Sequence, residues 1–333
     1  MESRPLDFGG GFTQSGVAVN VLMIRLGGLG DLLVALPSMA CLRRTVRGCR
    51  FVLLCKGEYG GLFLDSGIAD EVIPLESREA TWFFGDTSAP PSRPARDFSL
   101  AVGWMQKPSS SGIEGTLRSR GVRTVLFYSP DPPSSNPLSR HFFMDTLAAF
   151  PGPGRAAPDF GDCSRLRSEK GWTAEARALL EKDISFGERF AVLHPGSGGA
   201  EKIWPLDNFL EIARRLREAG IHGVFVTGEA EECPAIAGRL EQKTLPPGWT
   251  WARRPPLLGL AGLLAEAPLY LGNDSGITHL AAACGARVTA LFLEKNIPTW
   301  EPYGRSRVLT ASVVSELDPE TVWTVLRGRG GIL

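Results

Sequence analysis

The stretch NVLMIRLGGLGD, residues 20–31, decides the fold. An apolar run, Asn20–Leu26, passes directly into three glycines within four positions, and a helical pattern follows from Asp31 to Val46. A largely apolar run ending at a glycine turn reads as a buried strand, and strand–turn–helix is the first unit of a parallel α/β sheet. Gly27, Gly28 and Gly30 let the backbone approach a ligand closely and expose helix N-terminal N–H groups. Asp31 admits two readings. It is either a first-turn acid favourable to the helix dipole, or a carboxylate held at a cleft to accept a proton.

Outward from this stretch the pattern repeats. In the first half, strands are expected at Arg50–Cys55, Asp97–Val102 and Val122–Tyr128, with a helix at Phe142–Phe150. Residues 87–94 and 129–137 are Pro/Ser-rich loops, and 151–162 (PGPGRAAPDFGD) reads as a domain linker. After an amphipathic helix at Glu169–Lys182, a second series begins. Its strands are Phe190–His194, Gly223–Thr227, Leu269–Gly272 and Val288–Phe292, with helices at 206–219, 230–240, 276–284 and 319–327. The expected organisation is a loose tail at 1–19, a Rossmann-like domain at 20–160 and a second at 161–333. Parallel sheets would face one another across a cleft, with ligand at the carboxyl ends of the strands.

Composition agrees with this and narrows the function. With 333 residues, 43% hydrophobic and 22% charged, the chain can bury two cores. A net charge of zero supplies no global field for nucleic acid. Arg43, Arg44, Arg47 and Arg50 suggest a local basic patch. The six cysteines are scattered without metal spacing and read as small buried hydrophobes. The most apolar stretch, 17–36, is broken by Arg25, Asp31 and glycines, so it is not a spanning helix.

A dinucleotide fingerprint fits the first turn poorly. Gly28 and Gly30 would require a third glycine at position 33, which is Leu33, and the second strand ends in Leu54-Cys55-Lys56 rather than in an acid. Three further motifs point to a phosphate-bearing ligand. His194-Pro195-Gly196-Ser197 is a forced turn in which Ser197 and its N–H neighbours can bind phosphate, and Lys202 adds a cation just beyond it. Asn273-Asp274-Ser275-Gly276 opens an Ala-rich helix: Ser275 can cap it, Gly276 and its neighbours offer N–H groups, and Thr278 and His279 add side-chain donors. Asp274 is placed to accept from sugar hydroxyls. Glu231, after the strand ending at Thr227, reads equally as a ribose partner or a helix-start acid. Asp-x-Asp, H-E-x-x-H, P-loop and G-x-S-x-G patterns are absent from the sequence, so no metal ligands are expected.

The order of these motifs, from Ile24-Arg25 through Asp31, His194-Pro195-Gly196-Ser197, Lys202-x-Trp204-Pro205 and Gly272-Asn273-Asp274-Ser275-Gly276 to His279, resembles glycosyltransferase family 9, the heptosyltransferases of lipopolysaccharide core synthesis. The resemblance runs from about residue 20 to 305. It implies a GT-B fold, inverting transfer without a metal or other cofactor, and Asp31 as general base. It assigns Lys202 to the donor phosphates, Asp274 to the donor sugar, Ser275, Gly276 and His279 to the diphosphate region, and Glu231 to the ribose. ADP-heptose would be the donor and a lipid-linked core oligosaccharide the acceptor. The enzyme would be cytoplasmic, peripheral at the inner face of the inner membrane. One departure stands out: where the family has a short Gly-Pro-Thr loop, this chain has Leu293-Glu294-Lys295-Asn296. A sugar-nucleotide epimerase and a non-catalytic nucleotide-sugar-binding protein are the rival readings.

Overall fold

The computed structural model describes residues 19–85, 98–105, 107–131, 136–152, 157–168, 176, 189–242 and 245–328. The expected tail before Val19, the loop at 87–94 and nearly all of the expected helix 169–182 lie outside them. The chain divides into two compact units, Met1–Glu169 and Lys170–Leu333.

The first unit runs β1 (Val19–Ile24), α1 (Leu29–Thr45), β2 (Cys49–Cys55), α2 (Gly57–Asp65), β3 (Glu71–Pro74), β4 (Phe98–Trp104), α3 (Lys107–Ser119), β5 (Thr124–Tyr128) and α4 (Leu138–Ala149). All strands are parallel, in the order β3-β2-β1-β4-β5. Ile24 pairs with Leu54 on one side and Gly103 on the other, so strand order reverses at β1. The carboxyl ends of β1 and β4 are therefore the switch point where open α/β sheets bind ligands. Val21–Ile24 are fully buried, as a strand covered on both faces must be. Helix α1 is buried around most of its circumference because α4 and a short helix, Phe160–Cys163, cover the side turned away from the sheet.

That short helix overlaps the end of the linker expected at 151–162. Asp159 caps it, Phe160 packs edge-on against Phe143, and Arg44 donates to the Asp162 carbonyl. The Pro/Gly-rich segment thus ends in packed structure, and the two units part after Glu169. The expected basic patch is largely spent: Arg43 makes a two-pronged pair with Asp70, Arg50 pairs with Glu71, and Arg44 is bound as above.

The second unit runs β6 (Phe190–His194), α5 (Leu206–Glu218), β7 (His222–Thr227), α6 (Ala237–Gln242), β8 (Trp249–Arg253), α7 (Leu257–Glu266), β9 (Leu269–Asn273), α8 (Gly276–Cys284), β10 (Val288–Leu293), β11 (Ser306–Ala311) and α9 (Pro319–Arg327). Its parallel order is β11-β10-β9-β6-β7-β8. The reversal falls between β6 and β9, where His194 lies beside Gly272. Trp204, Phe209, Phe225 and Leu291 share the core on one face of this sheet. The expected helix 230–240 is helical only from Ala237. Ahead of it Glu231 folds its carboxylate back onto the Gly228 N–H, and Pro234 has no N–H to continue a ladder.

Of the six cysteines, Cys41, Cys55, Cys163 and Cys284 are buried, and Cys49 and Cys233 are half-buried. Burial pushes Cys41 and Cys55 up to about 12, consistent with packing rather than reactivity. Among the described residues, no helix is long and apolar enough to cross a membrane.

Candidate functional site

In the first unit, the glycine turn after β1 delivers Asp31 to the switch point. Gly28 is the N-cap of α1 and Asp31 the third helical residue, so the first-turn reading holds: the carboxylate caps the helix, at the carboxyl end of β1. Its Oδ2 accepts from the Gly28 N–H at 2.9 Å. Its Oδ1 accepts from Arg25 Nη2 at 2.6 Å. Gly27 has φ +133°, and a Cβ there would lie 2.7 Å from Asp31 Oδ2, so this position admits only glycine.

Arg25, the first residue after β1, is a residue to which sequence reasoning assigned no role. It is buried, donates to the carbonyls of Asp31 (3.0 Å) and Trp104 (2.5 Å), and lies over the Phe142 ring. Burial lowers the Arg25 pKa and the Asp31 carboxylate works against that. One guanidinium thus ties Asp31 to the end of β4 and fixes the carboxylate's direction. Tyr59 lies near the same helix start. Burial, then Glu58, and more weakly Asp31 push its phenol up to about 12, so at neutral pH it remains a hydrogen-bond donor.

In the second unit, two loops converge where β6 and β9 end. Asn273 is fully buried and joins them: its Oδ1 accepts from the Trp204 N–H at 3.1 Å, and its Nδ2 donates to the Pro195 carbonyl at 2.9 Å. Ser197 Oγ donates to the Asp274 carbonyl at 2.7 Å. Asp274 is 5% exposed, and its Oδ2 accepts from Lys202 Nζ at 2.9 Å and from Asn296 Nδ2 at 2.6 Å. Ser275 caps α8, accepting from the Thr278 N–H at 3.3 Å, so the anion-favouring end of a nine-residue helix opens beside Asp274 and Lys202.

These contacts redistribute the expected roles. Ser197, Lys202, Asp274, Ser275 and Gly276 gather at one carboxyl edge. Thr278 is fully buried and its hydroxyl donates to the Asn273 carbonyl at 2.5 Å, with Tyr270 at 2.9 Å, which corrects the expectation of a side-chain donor facing ligand. His279 is buried at 2% exposure rather than displayed at the surface. Glu231 is 4% exposed and packs against Gly196, where an added Cβ would lie 2.0 Å from its Oε1.

His194 sits beneath this carboxylate. Its Nδ1 donates to the Val226 carbonyl at 3.0 Å. Burial lowers its pKa, outweighing the opposing pull of Glu231 and of the Val226 carbonyl, so the ring is held neutral. The unfolded chain therefore takes up a proton that the folded one resists. This contribution to stability is complete above about 6.5 and is lost as pH falls below it toward the folded value. The melting temperature is expected to drop between pH 7 and pH 5, with a shallower slope for His194→Gln; equal slopes in differential scanning calorimetry would count against this.

Among the described residues, no three His, Cys, Asp or Glu side chains gather as a metal site. A cavity of about 410 Å³, lined in part by Arg287, Arg305 and Arg307, lies at the amino ends of β9–β11, the end of the sheet away from these loops.

Each unit is a doubly wound parallel sheet with its polar loops at the carboxyl ends of the strands around its switch point, the two-domain α/β organisation expected of a GT-B fold. Comparison with known proteins then gives the family. Residues 154–321 match the model for "Glycosyltransferase family 9 (heptosyltransferase)". Lipopolysaccharide heptosyltransferase 1 of Pseudomonas aeruginosa is 32% identical over 304 residues, covering 87% of this chain and 83% of that one. The match to lipopolysaccharide core heptosyltransferase OpsX of Haemophilus influenzae, 26% identical, is confined to 38% of this chain and 36% of that one. The chain belongs to glycosyltransferase family 9. Solved structures agree on the fold: a family 9 glycosyl transferase from Veillonella parvula superposes with TM-score 0.74 at 16% identity (92% and 95% covered), and ADP-heptose LPS heptosyltransferase II of E. coli with 0.72 at 15% (92% and 97%).

Proposed function

We propose that the chain transfers heptose from ADP-heptose to a hydroxyl of a lipid-linked lipopolysaccharide core acceptor, with inversion. The observation that carries this is the convergence in the second unit of Lys202, Asp274 and the Ser275-capped helix start, with Glu231 against the neighbouring loop: a cation, a polar helix end and two acids suit a diphosphate joined to two sugars. Support also comes from the Pseudomonas relative's name and from an E. coli heptosyltransferase solved with ADP-2-deoxy-2-fluoro heptose.

In this reading Asp31 takes the acceptor hydroxyl proton as the oxygen attacks the anomeric carbon from the face opposite ADP. The bond from that carbon to the diphosphate oxygen breaks, and ADP leaves with the electron pair. Lys202 and the α8 N-terminus stabilise the growing phosphate charge, with His279 assigned to the same region. Glu231 takes the ribose hydroxyls and Asp274 the transferred sugar. No metal or other cofactor takes part. The Gly27–Gly30 turn borders the acceptor, and the enzyme works in the cytoplasm against the inner face of the inner membrane.

The test is product analysis with radiolabelled donors and a deacylated core acceptor. Transfer of label from ADP-heptose, in preference to UDP-, GDP- and dTDP-sugars, is expected. A preference for another nucleotide would overturn the donor assignment, and a retained anomeric configuration would overturn inversion.

A further inference from the structure

The last residue of β10 and the turn after it form Leu293-Glu294-Lys295-Asn296, a segment to which the proposed reaction assigns no role. Two of its side chains reach back to the β6 loops and the end of β9. Lys295 pairs with Glu201 at 3.2 Å, and Asn296 Nδ2 donates to Asp274 Oδ2 at 2.6 Å. Asp274 has three further anchors. Its N–H donates to the Leu291 carbonyl, its carbonyl accepts from Ser197, and its Oδ2 also accepts from Lys202.

The two donors on Oδ2 differ in kind. Lys202 is a cation on a flexible stem and answers to any phosphate brought beside it. Asn296 is neutral and short, so it directs the carboxylate without neutralising it or competing for phosphate. With both donors on Oδ2, the second oxygen of Asp274 is oriented apart from Lys202 and Asn296.

We infer that Asn296 is a positioning residue for the donor's sugar: it holds the Asp274 carboxylate so that Oδ1 accepts a sugar hydroxyl while Lys202 serves the diphosphate. This rests on the proposed nucleotide-sugar reading.

The experiment compares the dissociation constants of ADP and of ADP-2-deoxy-2-fluoro heptose by calorimetry. Four proteins are used: wild type, Asn296→Ala, Asp274→Ala and the double variant. Wild type is expected to bind the sugar-bearing ligand more tightly than ADP. Asn296→Ala should shrink that preference about tenfold, in line with a hydrogen bond to a charged group. In the Asp274→Ala background the same change should have no further effect, an outcome that a merely structural role for Asn296 would not produce. Asn296→Asp, nearly identical in shape, sets a second carboxylate against Asp274 and should shrink the preference at least as far, which keeps the test decisive if the alanine variant folds poorly. A wild-type preference kept by Asn296→Ala and Asn296→Asp overturns the positioning role alone. A wild type that binds the sugar-bearing ligand no better than ADP overturns the donor reading and this inference together.

Discussion

Asp31→Asn is expected to lower kcat by about 10²–10⁴-fold, the usual worth of general-base assistance, while ADP affinity stays at the wild-type level. The geometry makes this substitution a clean one. An asparagine oxygen can still accept from Arg25 Nη2, and Arg25 keeps its bonds to the carbonyls of residue 31 and Trp104. What is lost is the acceptor at Oδ2, since an amide nitrogen there would face the Gly28 N–H, donor against donor. That, together with the lost charge facing the buried Arg25 guanidinium, costs on the order of 1–3 kcal/mol of stability. The groups proposed to hold ADP belong to the other unit. Loss of turnover in a variant that stays folded and keeps its ADP binding would therefore report proton transfer. Normal kcat in the folded variant would sink the assignment of Asp31 as base.

The second large effect is expected at Gly196. An alanine Cβ would sit 2.0 Å from Glu231 Oε1, whereas ordinary contact begins near 3.4 Å, so something must yield by more than 1 Å. The loop resists, because Asn273 holds the Pro195 carbonyl. The buried Glu231 carboxylate is the softer partner and would be pushed off the Gly228 N–H. Displacements of that size in a binding constellation cost about 10²-fold, so kcat/KM for donor should fall by about that factor in Gly196→Ala. Glu231→Ala should match it, and the double variant should be no worse than Glu231→Ala alone, because both changes remove the same interaction. Additive losses would show that Gly196 acts through the loop backbone instead.

Much of this site was legible in the chain because glycine turns, helix caps and buried strands have local causes. The β1 turn, the His194–Ser197 loop and the Ser275 cap were each read from neighbouring residues, and each is where it was expected. The strands that escaped notice, β3, β8 and β11, are edge strands. Glu71–Pro74 and Ser306–Ala311 are only partly buried, so they lack the continuous apolar run that marked β1 and β6. The helix expected at 230–240 begins only at Ala237, because Pro234 has no backbone N–H to carry a ladder through the residues before it.

Arg25, Asn273 and Asn296 had no local signature. Their decisive partners, Trp104, Pro195 and Asp274, are 79, 78 and 22 residues away in the chain. By itself the sequence determined that Asp31 would start a helix behind a glycine turn, that Lys202 would follow a turn after the first strand of the second unit, and that Ser275 would cap an α/β helix. Only the tertiary structure decided how those groups spend their hydrogen bonds: Asp31 on Arg25, Asp274 on Lys202 and Asn296, and Thr278 inward on the Asn273 carbonyl. The reason is physical: a cap or a turn is satisfied within a few residues, but a buried carboxylate or hydroxyl must find its partner among whichever strand ends the sheet order brings beside it.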